Sequence, residues 1–128
     1  MINRSDLEAF GYFDMFQNSP DYEEDPVRFY SQFVEDKMLT KGRERLVENT
    51  LGLSGEAGEV SEKVKKLFRD KDKFKDEDIL KELGDVLFYT VALANIFGGN
   101  LRKVMEMNMA KLDDIEQRGV LKGSGDNR

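Results

Sequence analysis

The chain has 128 residues, 26 acids against 20 bases, a formal net charge of −6, and neither histidine nor cysteine. That length suits one domain with a real core, the acid excess argues against a general nucleic-acid footprint, and no apolar run approaches the roughly 18 residues of a membrane helix. Disulfides, thiolate chemistry, imidazole ligands and a histidine general base are excluded, so any metal site must use oxygen ligands and favours hard cations such as Mg²⁺, Mn²⁺ or Ca²⁺.

The opening "MINRSDLEAF" has no long apolar stretch and does not read as a signal peptide, so a cytoplasmic protein is expected. Ser5 and Glu8 form a capping box leading into Leu7, Phe10, Phe13 and Phe16. "NSPDYEEDP" reads as a linker. Asp25 then reads as an N-cap with Pro26 at the first helical position, opening a helix through Phe29, Phe33 and Val34. The next helix starts near Thr40 and runs to about Arg69, with the stripe Leu53, Ala57, Val60, Val64 and Leu67. "RDKDKFKDED" is a charged loop. Asp76 caps a helix from Glu77 to Phe97 that "GGN" stops. Asn100 caps a last helix from Leu101 to about Arg118, followed by a polar, Gly-rich tail. The expected fold is all-α, a bundle of four or five helices.

Two segments of this pattern carry paired acids. "GEAGE" places Glu56 and Glu59 three residues apart, and "ELGD" does the same with Glu82 and Asp85. At about 100° per residue, Glu56 and Glu59 lie on one side of the stripe through Leu53, Val60 and Val64. Glu82 and Asp85 hold the same offsets from Ile79, Val86 and Leu93. If the two helices pack through these stripes, all four carboxylates converge at one edge of the seam. The segment "LGDVLFYTVALANIF" is apolar nearly all round and should be central, which argues against Asp85 being free on a surface. Gly55, Gly58 and Gly84 each cost a helix about 1 kcal/mol relative to Ala, and glycine beside the acids suggests that a backbone or ligand comes close. Four gathered acids repel and raise one another's pKa unless a cation neutralises them. The residues themselves therefore point to a carboxylate-bound Mg²⁺ site.

"LGLSGEAGEVSEKVKKLFRD", "KELGDVLFYTVALANIFG" and "NMAKLDDIEQRG" together resemble the MazG-like nucleoside triphosphate pyrophosphohydrolases, in the short single-domain form of phages and bacteria. The resemblance covers about residues 45–128. It implies one domain over 1–128, with N-terminal helices in 1–44, catalytic helices in 45–118 and a flexible tail in 119–128. It implies an α-helical homo-oligomer, a dimer or tetramer, located in the host cytoplasm if phage-encoded. The implied reaction is Mg²⁺-dependent hydrolysis of a nucleoside or deoxynucleoside triphosphate to monophosphate and pyrophosphate, with Mn²⁺ as a substitute cation, in nucleotide-pool control. Glu56, Glu59, Glu82 and Asp85 would be the metal ligands. Many relatives carry a further acid just before the first Glu, where this chain has Gly55.

The remaining chemistry fits that expectation. Clustered carboxylates can hold metals that neutralise a triphosphate and lower the pKa of an attacking water. An acid not fully committed to metal, Glu59 by preference, would accept the water's proton. Cationic side chains should meet the phosphates outside the metal shell. Lys111 and Arg118 lie within about 20° of each other on the last helix, at the edge of a stripe that contains Asn108. An asparagine on an inner face needs a polar partner. Lys63 projects on the side of Glu56 and Glu59, where its bland alternative is an i,i+4 pair with Glu59. Arg128 could fork onto a phosphate as the "GSGDNR" tail folds over it. The base pocket is less legible, with Tyr89 and Asn95 as weaker candidates. Two alternatives stay open at this point: a phosphoribosyl-ATP pyrophosphatase with the same acids, and a non-catalytic helical interaction module with a structural cation.

Overall fold

A computed structural model describes residues 20–119, and among these it contains five α-helices, one 3-10 turn and no strand. The helices are α1 (Pro20–Glu24), α2 (Pro26–Lys37), α3 (Gly42–Arg69), α4 (Asp76–Ile96) and α5 (Leu101–Gln117), with the 3-10 turn at Lys71–Lys73 between α3 and α4. The helix expected after Ser5 and the tail from 120 onward lie outside the described residues. None of the described helices is long and apolar enough to cross a membrane.

Local chemistry accounts for most of the boundaries. The Asp25 carboxylate accepts a hydrogen bond from the Arg28 amide at 3.0 Å, and Pro26 opens α2. The Asn100 side chain accepts from the Lys103 amide at 2.8 Å and caps α5. At the end of α4 the Gly98 amide donates to Asn95 O and the Gly99 amide to Ala94 O. Gly98 has φ +78° there, the left-handed conformation that this two-bond C-terminal cap requires. The expected linker differs, because its middle, Pro20–Glu24, folds as α1. Pro20 suits a first helical turn, Asp21 and Glu23 complement the positive helix N-terminus, and Tyr22 meets the Phe29 ring edge-on at 5.5 Å.

The α3–α4 pair forms the centre of the molecule. It is antiparallel, since Gly52 faces Tyr89 while Lys63, further along α3, faces Glu82, earlier on α4. Val34, Val91 and Ala92 are fully buried, with Tyr30, Phe33, Met38, Phe88 and Leu101 packed against them. Ser31 joins α2 to the corner between α4 and α5: its carbonyl accepts from Asn95 Nδ2 at 3.1 Å and its hydroxyl from the Leu101 amide at 3.0 Å. Asn95 Nδ2 is thereby engaged in holding this corner of the fold. Arg102 on α5 closes the same corner with an ion pair to Asp25 at 2.7 Å.

Two predictions arise here. A Cβ on Gly52 would sit 2.4 Å from the Tyr89 ring. Gly52→Val should therefore destabilise the fold by roughly 1–3 kcal/mol, and the loss should shrink in a Tyr89→Leu background. Urea unfolding of the double-mutant cycle checks this; equal losses in both backgrounds would contradict it. The second concerns Asp25, whose carboxyl is held below its ordinary value of 3.8 by the Arg28 amide and, beyond that, by Arg102. A depressed pKa in the folded state means stability that is present above the unfolded pKa and lost as pH falls through the folded value. Asp25→Ala should lower the melting temperature at neutral pH, and its gap from the unsubstituted protein should close as pH falls below about 4.

Candidate metal and nucleotide site

Glu56 comes from the middle of α3, and Glu82 and Asp85 from one face of the first half of α4. One carboxylate oxygen from each lies within 4.8 Å of the others. Glu56 and Glu82 are half-buried, and Asp85 is exposed. Glu59, one turn along α3, is exposed and outside this group of three. It is still close enough to matter electrostatically. The Glu56 carboxyl is pushed above its ordinary range by loss of solvent and then by the charges of Asp85, Glu82 and Glu59. Such a cluster favours either a proton or a cation. All donors are hard oxygens, which suits Mg²⁺ or Mn²⁺.

Lys63 supplies one positive charge within the chain. Its Nζ lies 3.3 Å from Glu82 Oε1, across the seam from α4, rather than pairing along α3 with Glu59. Tyr30, contributed by α2, stands on the Asp85 side, where burial and then the Asp85 charge raise its hydroxyl pKa. Sequence periodicity did not single Tyr30 out, because it reads as one more aromatic of an apolar helix face.

Several expectations are corrected. Asp85 is exposed within one chain, as are Leu83 at 46% and Leu87 at 40%, so α4 is not enclosed by its own chain. A Cβ on Gly55, Gly58 or Gly84 would meet nothing within 4 Å, whereas Gly52 is the glycine in close contact. Asn108 is exposed rather than on an inner face, because α5 is exposed throughout 102–114. Lys111 and Arg118 are also exposed, and Arg118 pairs along its own helix with Asp114 at 2.9 Å. α5 packs on α2 and α4 and makes no contact with α3 among the described residues, so it does not approach the Glu56 side of the site within one chain. Arg128 lies outside the described residues.

Residues 44–118 match the family of the MazG nucleotide pyrophosphohydrolase domain. The chain belongs to this family. The matched segment of the MazG domain contains α4, α5 and nearly all of α3, and with them every acid of the cluster. The Gene 37 protein of Mycobacterium phage L5 is 48% identical over 83 residues, covering 62% of this chain and 73% of that protein. No solved structure gives a significant match. Membership in the MazG family supports nucleotide pyrophosphohydrolysis in general terms. The convergence of Glu56, Glu82 and Asp85 is where a MazG domain of this sequence could hold a divalent cation.

A cavity of about 560 Å³ along α1 and α2 shares no residue with the acid cluster. A smaller one, about 110 Å³, is lined by Lys63, Lys66, Asp70, Lys73, Phe74 and Asp78 and borders the site through Lys63. The run "KVKK" is a local basic patch in the sequence, but the cavity exists only once the charged loop folds back against α3.

Proposed function

We propose that the protein hydrolyses a nucleoside or deoxynucleoside triphosphate to the monophosphate and pyrophosphate, with Mg²⁺ held by Glu56, Glu82 and Asp85. The observation that carries this reading is the approach of those three carboxylates within 4.8 Å, in a chain of the MazG family. A bound divalent cation supplies charge neutralisation and a more acidic water. Water adds its oxygen to one phosphorus of the α–β anhydride, the bridging P–O bond breaks, and its electron pair leaves with the departing phosphate group. Glu59 lies outside the three-acid group and near Glu56, and it takes the proton released by the water. Where a second cation is bound, Glu59 would be among the residues that hold it.

The cationic and polar groups on α5, Asn108, Lys111 and Arg118, act as substrate ligands from a neighbouring copy. Their exposure and the distance of α5 from α3 within one chain support that arrangement. Arg128 serves the same triphosphate from the tail. The oligomer is built on the face of α4 that carries Leu80, Leu83 and Leu87, which are 48%, 46% and 40% exposed.

The test is pyrophosphate release across the common NTPs and dNTPs and phosphoribosyl-ATP, with Mg²⁺ and with Mn²⁺. Release from at least one nucleoside triphosphate, dependent on the cation, is the expected result. No release from any substrate would sink the proposal, and release from phosphoribosyl-ATP alone would redirect it.

A further inference from the structure

The connection between α3 and α4 gathers positive charge in an otherwise acidic protein. From Lys63 to Lys75 there are seven bases and two acids, within a chain of net charge −6. The fold turns this segment into a concave surface. The last turns of α3, the 3-10 turn and the start of α4 enclose a cavity of about 110 Å³ with Lys63, Lys66 and Lys73 on its walls. Of the two lining acids, Asp70 is engaged by Arg69 at 2.9 Å. No carboxylate among the described residues lies in ion-pair range of Lys66 or Lys73. Phe74, half-buried, gives the cavity an apolar wall. An apolar wall lowers the local dielectric and strengthens attraction between an ammonium and an anion.

Position relates this cavity to the acid cluster. Lys63 belongs to both, since it lines the cavity and pairs with Glu82. Asp78, on the opposite wall, precedes Glu82 by one helical turn, about 6 Å along α4. That distance is comparable with the span of a diphosphate. Lysines suit such a ligand because each is a compact point charge on a flexible stem. The opposite direction along the α3–α4 seam leads past Asp85 to Tyr30 and to Tyr89 over Gly52, which offer aromatic surface, and the next cation along α3, Arg45, is paired with Glu35 at 2.6 Å.

We infer that the Lys63–Lys66–Lys73 cavity receives the two terminal phosphates of the substrate and holds them as they leave as pyrophosphate. The nucleoside then lies toward Asp85 and Tyr89. This orientation rests on the triphosphate reading above, and it adds Lys66 and Lys73 as binding residues.

Isothermal titration of inorganic pyrophosphate into the full chain, at fixed Mg²⁺, tests the subsite without requiring turnover. Lys66→Gln/Lys73→Gln should weaken pyrophosphate binding at least about tenfold, while nucleoside monophosphate binding and the melting temperature stay unchanged. Lys65→Gln/Lys71→Gln removes the same charge from outside the cavity and should shift affinity by no more than about twofold. Equal weakening by the two double variants would reduce the effect to diffuse charge and overturn the inference. So would loss of monophosphate binding in parallel with pyrophosphate, or wild-type protein that binds no pyrophosphate. Displacement of pyrophosphate by a single-stranded oligonucleotide that binds more tightly through Lys66 and Lys73 would overturn it in favour of a polynucleotide surface. The two readings fail separately. Turnover with unaltered titration in the Lys66/Lys73 variant removes the subsite alone. The expected titrations without any turnover remove the hydrolase reading and leave an anion site.

Discussion

Glu82→Gln is expected to abolish both turnover and the stabilisation that Mg²⁺ confers, while leaving the metal-free protein folded. Glu82 sits between two opposing influences: the carboxylates of Glu56 and Asp85 within 4.8 Å, and Lys63 at 3.3 Å. Neutralising it relieves repulsion and weakens an attraction, so the metal-free melting temperature should move little. The bound state has no such compensation. Saturating Mg²⁺ at about 100 times its Kd should add roughly 2.7 kcal/mol to the unsubstituted protein, and most of that gain should vanish with the ligand. Pyrophosphate release should fall on the order of a hundredfold or more, the scale on which removal of a single oriented group at a transition state is felt. Thermal melts with and without millimolar Mg²⁺, run beside the pyrophosphate assay, check both effects. A variant that keeps the Mg²⁺ shift and the activity would show that the cluster is only a solvated helix edge.

Leu83→Glu/Leu87→Glu is expected to dissociate the assembly or prevent folding. The two leucines share one face of α4 with Leu80 and Gly84, and a Cβ on Gly84 meets open space. If that face stays in water, a change to glutamate belongs with ordinary surface substitutions, within about ±0.5 kcal/mol. If a second copy covers it, burying unpaired carboxylates costs several kcal/mol, and the species seen at micromolar concentration changes. Sedimentation velocity of the unsubstituted chain should show a dimer or tetramer, and the double variant a monomer or an unfolded chain. A folded monomer in both cases would remove the oligomer, and with it the route by which Asn108, Lys111 and Arg118 on α5 reach an acid cluster.

Asp25 with Pro26, Asn100, and the glycines after Phe97 were legible in the sequence as helix punctuation, because a cap is chemistry among residues a few positions apart. The acid register was legible for the same reason, since it depends on one helical period at a time. What lay beyond local chemistry was how the periods meet. A three-residue step turns a side chain by about 60°, so the crossing of α3 on α4 decides that Glu56 joins Glu82 and Asp85 while Glu59 stands outside. The same crossing gives Lys63 a half-buried acid on the facing helix instead of its exposed neighbour on α3, and it makes Gly52, under Tyr89, the glycine that matters sterically. Asn108 was misplaced because the apolar stripe of α5 implies a covering surface, and its own chain leaves 102–114 exposed. The sequence by itself determined the helical class, the ends capped by Asp25, Asn100 and Gly98, the oxygen-only ligand chemistry and the family, all of which follow from residue type and short spacing. The tertiary structure decided which acids meet, which base pairs with them and where a basic cavity opens beside them, because those depend on side chains that only packing brings within a few ångströms.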